Sequence, residues 1–236
     1  MGKYVTAAEA VQVVKSGDRV YVQAAAATPT ILTKALADRA SELRNVEVCH
    51  LHTEGDAPYA NPELAESFHV NSFFIGANVR HTLKAGNGSY TPVFLSELPF
   101  LFRKNVVKLD VAFIHVSPPD SHGYCSLGVS VEASVAAIEN AKIVIAQVNP
   151  QMPRTFGDGI LHVSEIDYLV EVNLPIYAHA VTPFTAEEEK IGTYVASLIE
   201  DKRNDLIPFK NKVTIEELGK IRTESNLKTT INMTLV

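Results

Sequence analysis

Short apolar runs alternate with amphipathic segments along the first 200 residues of the chain, and the runs have the length of strands. Six strands are predicted in this way, at residues 19–25, 46–52, 68–75, 109–116, 143–148 and 168–172. Nearly continuous apolar strands separated by helical segments are typical of a parallel sheet that is covered on both faces. The pattern therefore predicts an α/β fold with an open, mainly parallel sheet and helices on both of its faces.

Capping signals mark where the helices begin. Thr6 with Glu9, and Thr185 with Glu188, have the capping-box spacing, in which each side chain satisfies an otherwise unpaired backbone N–H. Thr28-Pro29 and Asn61-Pro62 each place a capping residue directly before a proline at the first helical position. The predicted helices cover 6–16 (closed by a left-handed Gly17), 28 to about 43, a segment from 61, 129–141, and 185 toward 199. Residues 89–105 are aromatic and broken by prolines, and they receive no assignment.

Two segments that directly follow predicted strands must be shaped loops. Residues 117–125 read Ser-Pro-Pro-Asp-Ser-His-Gly-Tyr-Cys, and residues 148–158 read Val-Asn-Pro-Gln-Met-Pro-Arg-Thr-Phe-Gly-Asp. Proline pairs, glycine and small polar residues neither continue a strand nor start a regular helix. In an open α/β sheet, ligands bind beyond the carboxyl ends of the strands. The sequence therefore predicts a ligand site at this edge of the sheet.

Composition narrows the class of protein. The 236 residues are 46% hydrophobic and 20% charged, which is ordinary for a globular domain with a substantial core. No apolar run approaches the roughly 18 residues that span a bilayer, so no membrane partner is predicted. A net charge of −6 gives no support for nucleic-acid binding. The chain start shows no signal-peptide core, and Cys49 and Cys125 have no ligand-like spacing, so a reduced, cytoplasmic protein is expected.

The sequence lacks the complete motifs of several familiar chemistries, which are therefore excluded. Gly86-Asn-Gly88 lacks the third glycine of a dinucleotide fingerprint, and no Gly-Lys-Ser/Thr phosphate loop is present. Gly128-Val-Ser-Val-Glu132 matches a nucleophile elbow only halfway, because Glu132 stands where the closing glycine belongs.

The histidines have competing interpretations. His50 and His52 project to one face of a strand and could bind a metal, but no third ligand has a convincing spacing. Partly buried, hydrogen-bonded histidines are the preferred interpretation, and no metal is predicted. His115 lies inside an apolar strand and is expected in the core or at its rim. His122 sits beside Gly123 in the first loop, where it either faces a ligand or braces the loop.

The second loop contains two candidate residues. Arg154 can grip a carboxylate or phosphate through two parallel hydrogen bonds, or it can form a salt bridge to Asp158 or Glu165. Met152, between two prolines, either packs in the core or forms a wall for an acyl chain, and packing is the preferred interpretation.

The two loops also carry a family resemblance. Ser117-Pro-Pro-Asp-x-His-Gly-Tyr-Cys-Ser-Leu-Gly128, the Val148–Asp158 segment and His162-Val-Ser-Glu-Ile-Asp167 resemble the N-terminal half of the acetyl-CoA hydrolase/transferase family, especially its 4-hydroxybutyrate CoA-transferase group. Ser16-Gly-Asp-Arg-Val20 followed by Ala24-Ala-Ala-Ala-Thr-Pro29 is similar to the opening of that half. The resemblance covers about residues 5–201.

The resemblance implies an enzyme with two similar α/β halves that moves coenzyme A between carboxylic acids through a glutamate of the second half. It implies acyl-CoA and short carboxylic acids as substrates and no bound cofactor beyond the coenzyme A thioester. No catalytic residue is expected in this half. The residues expected to line the substrate and coenzyme A pocket are Thr28, Pro118, Pro119, His122, Gly123, Tyr124, Pro150, Met152, Pro153 and Arg154.

The chain departs from the family near residue 201. Residues 202–212 contain no glycine-rich turn, and Glu216, Glu217 and Glu224 lie in a segment without family context, so no catalytic role is transferred to them. The charge changes at the same place, from −9 over residues 1–201 to +3 over residues 202–236. We therefore expect a family domain over 1–201 and an atypical tail over 202–236, explained by a truncation or frameshift.

Three functions remain open from the sequence. The leading one is a CoA-transferase half that lines the pocket while a missing C-terminal half supplies the nucleophile. The rivals are a non-catalytic module that binds acyl-CoA or carboxylates, and an acyl-CoA hydrolase. The expected protein partner is either a second copy of the chain or the missing half.

Overall fold

The computed structural model describes residues 2–178 and 183–197. The chain divides into two compact units, residues 1–178 and 179–236, and each is considered by itself. The first unit contains all ten strands of the described residues and every predicted site residue.

The first unit is built on an eight-stranded sheet in which every neighbouring pair is parallel. The strands lie in the order β1-β10-β8-β6-β2-β3-β4-β5, and a separate antiparallel ribbon pairs β7 with β9. The strands are β1 (Lys3–Tyr4), β2 (Arg19–Val22), β3 (Val46–His50), β4 (Phe68–Ser72), β5 (Gly88–Tyr90), β6 (Leu109–Val116), β7 (Tyr124–Ser126), β8 (Ala141–Val148), β9 (Ile160–His162) and β10 (Tyr168–Glu171).

Alternate residues of each strand enter cores on opposite faces of the sheet. On one face, Val20 and Phe113 pack in a cluster with Leu32 and Leu36 of helix α2 (Thr30–Asp38) and with helix α1 (Ala7–Ala10). On the other face, Tyr21 packs with helices α4 (Leu98–Arg103) and α5 (Ser134–Asn140). The remaining helix of the first unit is α3 (Thr82–Ala85). The predicted α/β class, with helices on both faces of a mainly parallel sheet, is confirmed.

All six predicted strands are present, but several end early. The strand predicted to reach residue 25 ends at Val22, and Ala25, which has a left-handed backbone with φ +53°, forms only an isolated bridge to Thr53. The strand predicted at 68–75 ends at Ser72. Strands β1, β5, β7 and β9 were not predicted.

The predicted helices are shorter than expected. The Thr6–Glu9 capping box is present, but α1 ends at Ala10 and continues as a 3-10 turn over Val11–Val13. Asn61 caps only a single 3-10 turn, over Pro62–Leu64. The helix predicted over 129–141 begins at Ser134. The unassigned residues 89–105 contain the end of β5 and helix α4.

The prediction that Thr28 caps α2 is wrong. The N-cap residue is Pro29, which makes no side-chain capping bond. The Thr28 hydroxyl donates to Ala25 O at 2.7 Å and accepts from the Glu54 N–H at 3.0 Å. Thr28 therefore stabilises the loop between β2 and α2 rather than the helix.

The second unit is described only over 183–197, where helix α6 (Ala186–Ser197) begins at a Thr185–Glu188 capping box, as predicted. Its predicted end near 199, the domain boundary at 201 and the tail 202–236 lie outside the described residues. Over the ranges 2–178 and 183–197, no helix has the length and apolar character needed to cross a membrane.

Candidate functional site

The sheet reverses its winding direction between β2 and β6. From β2 the chain adds β3, β4 and β5 outward on one side, then returns to place β6 on the other side of β2, followed by β8 and β10. In an open parallel sheet, the crevice beyond the carboxyl ends of the strands at such a switch point is the usual ligand site. The loop after β2 and the 117–125 loop after β6 border this crevice.

The two predicted site loops are joined by the β7–β9 ribbon. Tyr124 pairs with His162, Cys125 with Leu161, and Ser126 with Ile160. The Ser117 N–H also donates to Ser126 O at 2.9 Å, which folds the first loop back upon itself. Segments that are about 35 residues apart in sequence therefore form one surface.

Asp120 organises the first loop. Its Oδ1 accepts the backbone N–H groups of His122 and Tyr124, each at 2.9 Å. Its Oδ2 accepts from Arg154 Nη2 at 2.7 Å, and Arg154 Nη1 donates to Tyr124 O at 3.0 Å. The Tyr124 N–H is the main cause of the lowered pKa of the Asp120 carboxyl, with smaller contributions from His122 and Arg154. The carboxylate form is thus favoured, and it ties the two loops together.

This geometry corrects one expectation about Arg154. Its salt-bridge partner is Asp120, neither Asp158 nor Glu165. The guanidinium braces the loops, and about a third of the side chain stays exposed beside the crevice.

His122 does not brace the loop with its side chain. Its ring is exposed and makes no hydrogen bond within the described part of the chain, and the brace is its backbone N–H to Asp120. The contacts of the His122 side chain therefore do not support the loop-bracing interpretation, and the ligand-facing interpretation stays a prediction.

A glycine is required at position 123, because the chain there contacts β9 closely. Its φ of +85° is left-handed, and a Cβ there would lie 2.6 Å from His162 Nε2. The Tyr124 and His162 rings meet edge to face, with centroids 5.1 Å apart. The two loops can approach this closely because residue 123 has no side chain.

Met152 is a packing residue, as preferred from the sequence. It is 3% exposed, and its Sδ lies 2.1 Å from the position that a Cβ of Gly128 would occupy. The neighbouring Pro118, Pro150 and Pro153 are exposed, and Pro119 is half-buried. The prolines therefore form the outer surface of the loop pair, and Met152 anchors it from inside.

Ser126 connects the loops below that surface. Its buried Oγ accepts the N–H groups of Thr155 at 3.0 Å and Gly128 at 3.1 Å. It lies 3.0 Å from the Thr155 hydroxyl, which donates to Gly128 O at 3.1 Å. These bonds fix the floor of the loop pair.

Thr28 lies apart from the other nine predicted residues. The hydrogen bonds of its hydroxyl go to Ala25 and Glu54, so it belongs to the loop between β2 and α2. Both the Thr28 loop and the proline loops follow carboxyl ends of strands at the same sheet edge. The loop pair thus holds nine of the predicted residues, and Thr28 borders the crevice from the β2 side.

Buried amides connect the strands beneath the crevice. Gln23 Oε1 accepts the His115 N–H at 2.6 Å, and its Nε2 donates to Ser130 O at 2.6 Å. Gln147 Oε1 accepts the Ile31 N–H at the start of α2, so its Nε2 is the group that faces His115 Nε2 at 3.3 Å. His115 therefore carries its ring proton on Nδ1, and burial lowers its pKa to about 4.

The His50 and His52 pair forms no metal site. His50 is fully buried, and burial lowers its pKa to about 4. The preference for a hydrogen-bonded His50 is wrong, because neither ring nitrogen bonds to a described residue and its ring instead packs edge to face on Tyr59. The described residues contain no group of three potential metal ligands.

Comparison with known proteins decides the family. Residues 1–179 match the acetyl-CoA hydrolase/transferase N-terminal domain. This chain belongs to the acetyl-CoA hydrolase/transferase family.

Two curated relatives have names that state an activity. This chain is 42% identical over 190 residues to a succinyl-CoA:acetate/propanoyl-CoA:succinate CoA transferase of Fasciola hepatica, covering 79% of this chain and 39% of the relative. It is 40% identical over 199 residues to a 4-hydroxybutyrate coenzyme A transferase of Clostridium kluyveri, covering 84% of this chain and 46% of the relative.

A solved structure agrees with the family assignment. RipA from Yersinia pestis superposes with a TM-score of 0.78 at 31% identity, covering 84% of this chain and 49% of RipA. The chain thus spans less than half the length of these three relatives.

Several residues that build the site of this family member were missed by the sequence reasoning. Gln147 lies within β8, and Gln23 directly follows β2. Both are buried polar residues in apolar runs of the sequence, and that was the available signal. No role was predicted for Asp120. An aspartate whose side chain accepts a backbone N–H two residues later is a common turn-forming pattern, and this pattern could have indicated its role. Glu132 was noted only as a departure from a nucleophile elbow.

Proposed function

We propose that this chain is the N-terminal half of a CoA-transferase that moves coenzyme A between a short-chain acyl-CoA and a carboxylic acid such as acetate or 4-hydroxybutyrate. The observation that carries the proposal is the pair of interlocked loops, 117–125 and 148–158, at the switch point of the parallel sheet. The CoA-transferase names of the relatives support the reaction class.

In this proposal, the chain contributes binding surface and the second half contributes the nucleophile. The exposed prolines and His122 of the loop pair line one wall of the pocket. The half-buried Ala25 and Ala26 line the other wall, and their small side chains let the acyl-CoA approach the backbone. Arg154 and Asp120 hold the loop wall in place through their 2.7 Å bond.

The proposed reaction is a double displacement at a glutamate supplied by the second half. Its carboxylate attacks the thioester carbonyl, which breaks the C–S bond and gives a mixed anhydride and a CoA thiolate. The thiolate attacks the glutamyl carbonyl of the anhydride, which releases the first carboxylic acid and leaves a glutamyl-CoA thioester. An acceptor carboxylate takes the coenzyme A by the same steps in reverse.

The domain limits and partners follow from the same proposal. In this proposal the family domain extends to about residue 201, and residues 202–236 fall outside it. The protein acts in the cytoplasm, and its partner is the second half or another copy of the chain.

A chimeric enzyme tests this function. Residues 1–178 of this chain replace the matching N-terminal part of the Clostridium kluyveri relative, and transfer of coenzyme A from acetyl-CoA to 4-hydroxybutyrate is measured. Measurable ping-pong transfer is expected. A chimera that matches its parent in circular dichroism and melting temperature, yet transfers no coenzyme A, would overturn the proposal.

A further inference from the structure

Glu132 gathers four hydrogen bonds from three separate parts of the fold. Its Oε1 accepts from the Tyr21 hydroxyl at 2.8 Å, the Ser134 hydroxyl at 3.0 Å and the Ala24 N–H at 3.1 Å. Its Oε2 accepts from the Ser130 hydroxyl at 2.7 Å. All four partners donate, so both carboxyl oxygens of Glu132 act as acceptors in this cluster.

The donors are themselves fixed. Tyr21 and Ser134 are fully buried, and Ser130 is 6% exposed. Burial and the nearby Glu132 raise the pKa of the Tyr21 phenol well above its ordinary value, so it remains a donor. Glu132 is thus a rigid acceptor beneath the loop that follows β2.

The Ala24 N–H is where this cluster reaches the crevice. Ala24 opens the loop of residues 24–28, and the next residue, Ala25, has a left-handed backbone that alanine seldom adopts. The other side of the loop is held by β3 and its following turn, through the Ala25 N–H to His52 O at 2.8 Å and the Glu54 N–H to the Thr28 hydroxyl. On the β6 side of the switch point, Glu132 holds the loop by accepting the Ala24 N–H.

We propose that Glu132 is a positioning residue that fixes the backbone of the 24–28 loop against which the acyl-CoA substrate binds. The inference rests on the proposed function for the identity of the substrate. Ala25 and Ala26 are half-buried and have small side chains, so their backbone is open to a ligand at the crevice. A displacement of Ala24 would move this surface directly.

The test compares Glu132→Ala, Glu132→Gln and the control Glu139→Gln in the full chain. Glu139 lies on helix α5, which begins two residues after Glu132, but it is exposed and pairs with Arg103 away from the loop. Glutamine keeps an oxygen that accepts from the Ala24 N–H, so Glu132→Gln should preserve the loop. Amide hydrogen exchange of residues 24–28 is measured for each variant, with the sheet amides of β6 and β8 as an internal reference.

We expect Glu132→Ala to accelerate exchange at residues 24–28 by about tenfold, with the amides of β6 and β8 changing by less than about twofold. Glu132→Gln should stay within about threefold of the wild type, and Glu139→Gln should match it. Equal exchange in the wild type and Glu132→Ala would overturn the inference, as would acceleration spread evenly over the sheet. If Glu132→Ala does not fold, Glu132→Asp replaces it, because its shorter carboxylate keeps the charge but loses reach to Ala24.

Titration with acetyl-CoA, followed by ligand-detected NMR, separates the two proposals. We expect the wild-type chain to bind, Glu132→Ala to bind at least about fivefold more weakly, and Glu132→Gln to recover most of the affinity. A wild-type chain that does not bind acetyl-CoA would contradict the proposed function itself. Binding by the wild type with unchanged affinity in Glu132→Ala would contradict only the role of Glu132.

Discussion

Arg154 Nη2 lies 2.7 Å from Asp120 Oδ2, across 34 residues of sequence. The same guanidinium donates to Tyr124 O, so one side chain holds both the acid that organises the first loop and the strand that joins it to the second. Arg154 therefore supports the loops of the candidate site. The alternative from the sequence was that its guanidinium binds a carboxylate ligand directly.

We expect Arg154→Ala to loosen the loop pair with little loss of global stability. Both partners are about one-third exposed, and ion pairs of this kind contribute only about 0–1 kcal/mol. Hydrogen exchange at residues 120–125 should rise while the melting temperature falls by only a few degrees. Arg103→Ala, which removes the exposed pair with Glu139, is the matched control. Unaltered exchange in the loop would rule out the bracing role.

Gly123→Ala should destabilise the protein more than Gly86→Ala. Both glycines have left-handed backbones, with φ +85° and φ +82°, and each substitution costs about 1–2 kcal/mol from that conformation. Only at Gly123 does the new Cβ also meet His162 Nε2, at 2.6 Å, whereas at Gly86 nothing lies within 4 Å. Denaturant unfolding measures the difference. Adding His162→Ala should recover part of the Gly123→Ala loss, and equal costs for the two glycines would contradict the close contact.

The protein should lose stability as the pH falls from about 6.5 to 4. His50 and His115 have pKa values of about 4 in the fold because burial disfavours the charged ring. Their unfolded values lie near 6.5, so the unfolded chain binds more protons in this window and the free energy of unfolding decreases. The full loss is about 3 kcal/mol for each histidine, and most of it occurs within that window.

Thermal unfolding between pH 4 and 8 checks this expectation. His50→Leu should flatten the dependence of the melting temperature on pH, because the substituted residue cannot take up a proton. A slope that is identical in wild type and His50→Leu would contradict the buried, neutral state of His50.

The long elements could be predicted from the sequence, and the short ones could not. Strand β6 has the predicted bounds of 109–116, since eight consecutive residues carry a clear apolar signal. Strands β1, β7 and β9 have only two or three residues, too few to show a period. Thr28 has the sequence of an N-cap, but Ala25 O captures its hydroxyl, and local sequence does not encode that competition.

The candidate site shows the same limit. The loops were recognised because their prolines and glycines exclude regular structure. The pairing of Arg154 with Asp120 was missed, because it depends on β7 and β9 meeting as a ribbon. Glu132 was missed for a similar reason, since its bond to Ala24 spans 108 residues. Contacts between residues so far apart in sequence depend on the topology, so they can be predicted only when the order of the strands in the sheet is known.

The 236-residue chain alone should not transfer coenzyme A between acetyl-CoA and short hydroxy acids. In the proposed mechanism the attacking carboxylate belongs to the second half, and loss of a covalent nucleophile costs about 10⁴- to 10⁶-fold in rate. A radiolabelled acetate exchange assay measures this. Robust turnover, with hydroxylamine-sensitive labelling of Glu216, Glu217 or Glu224, would show that the chain carries its own nucleophile.

Chemical-shift mapping of the ¹⁵N-labelled chain with acetyl-CoA tests the central claim most directly. If the carboxyl edge of the sheet at the switch point is the coenzyme A site, the perturbed amides will concentrate in residues 24–28, 117–125 and 148–158. The chemical shifts of amides at the opposite edge, such as those of Arg19 and Asp110, will remain unchanged. Saturable binding that perturbs other surfaces and leaves these three loops unchanged would contradict the account.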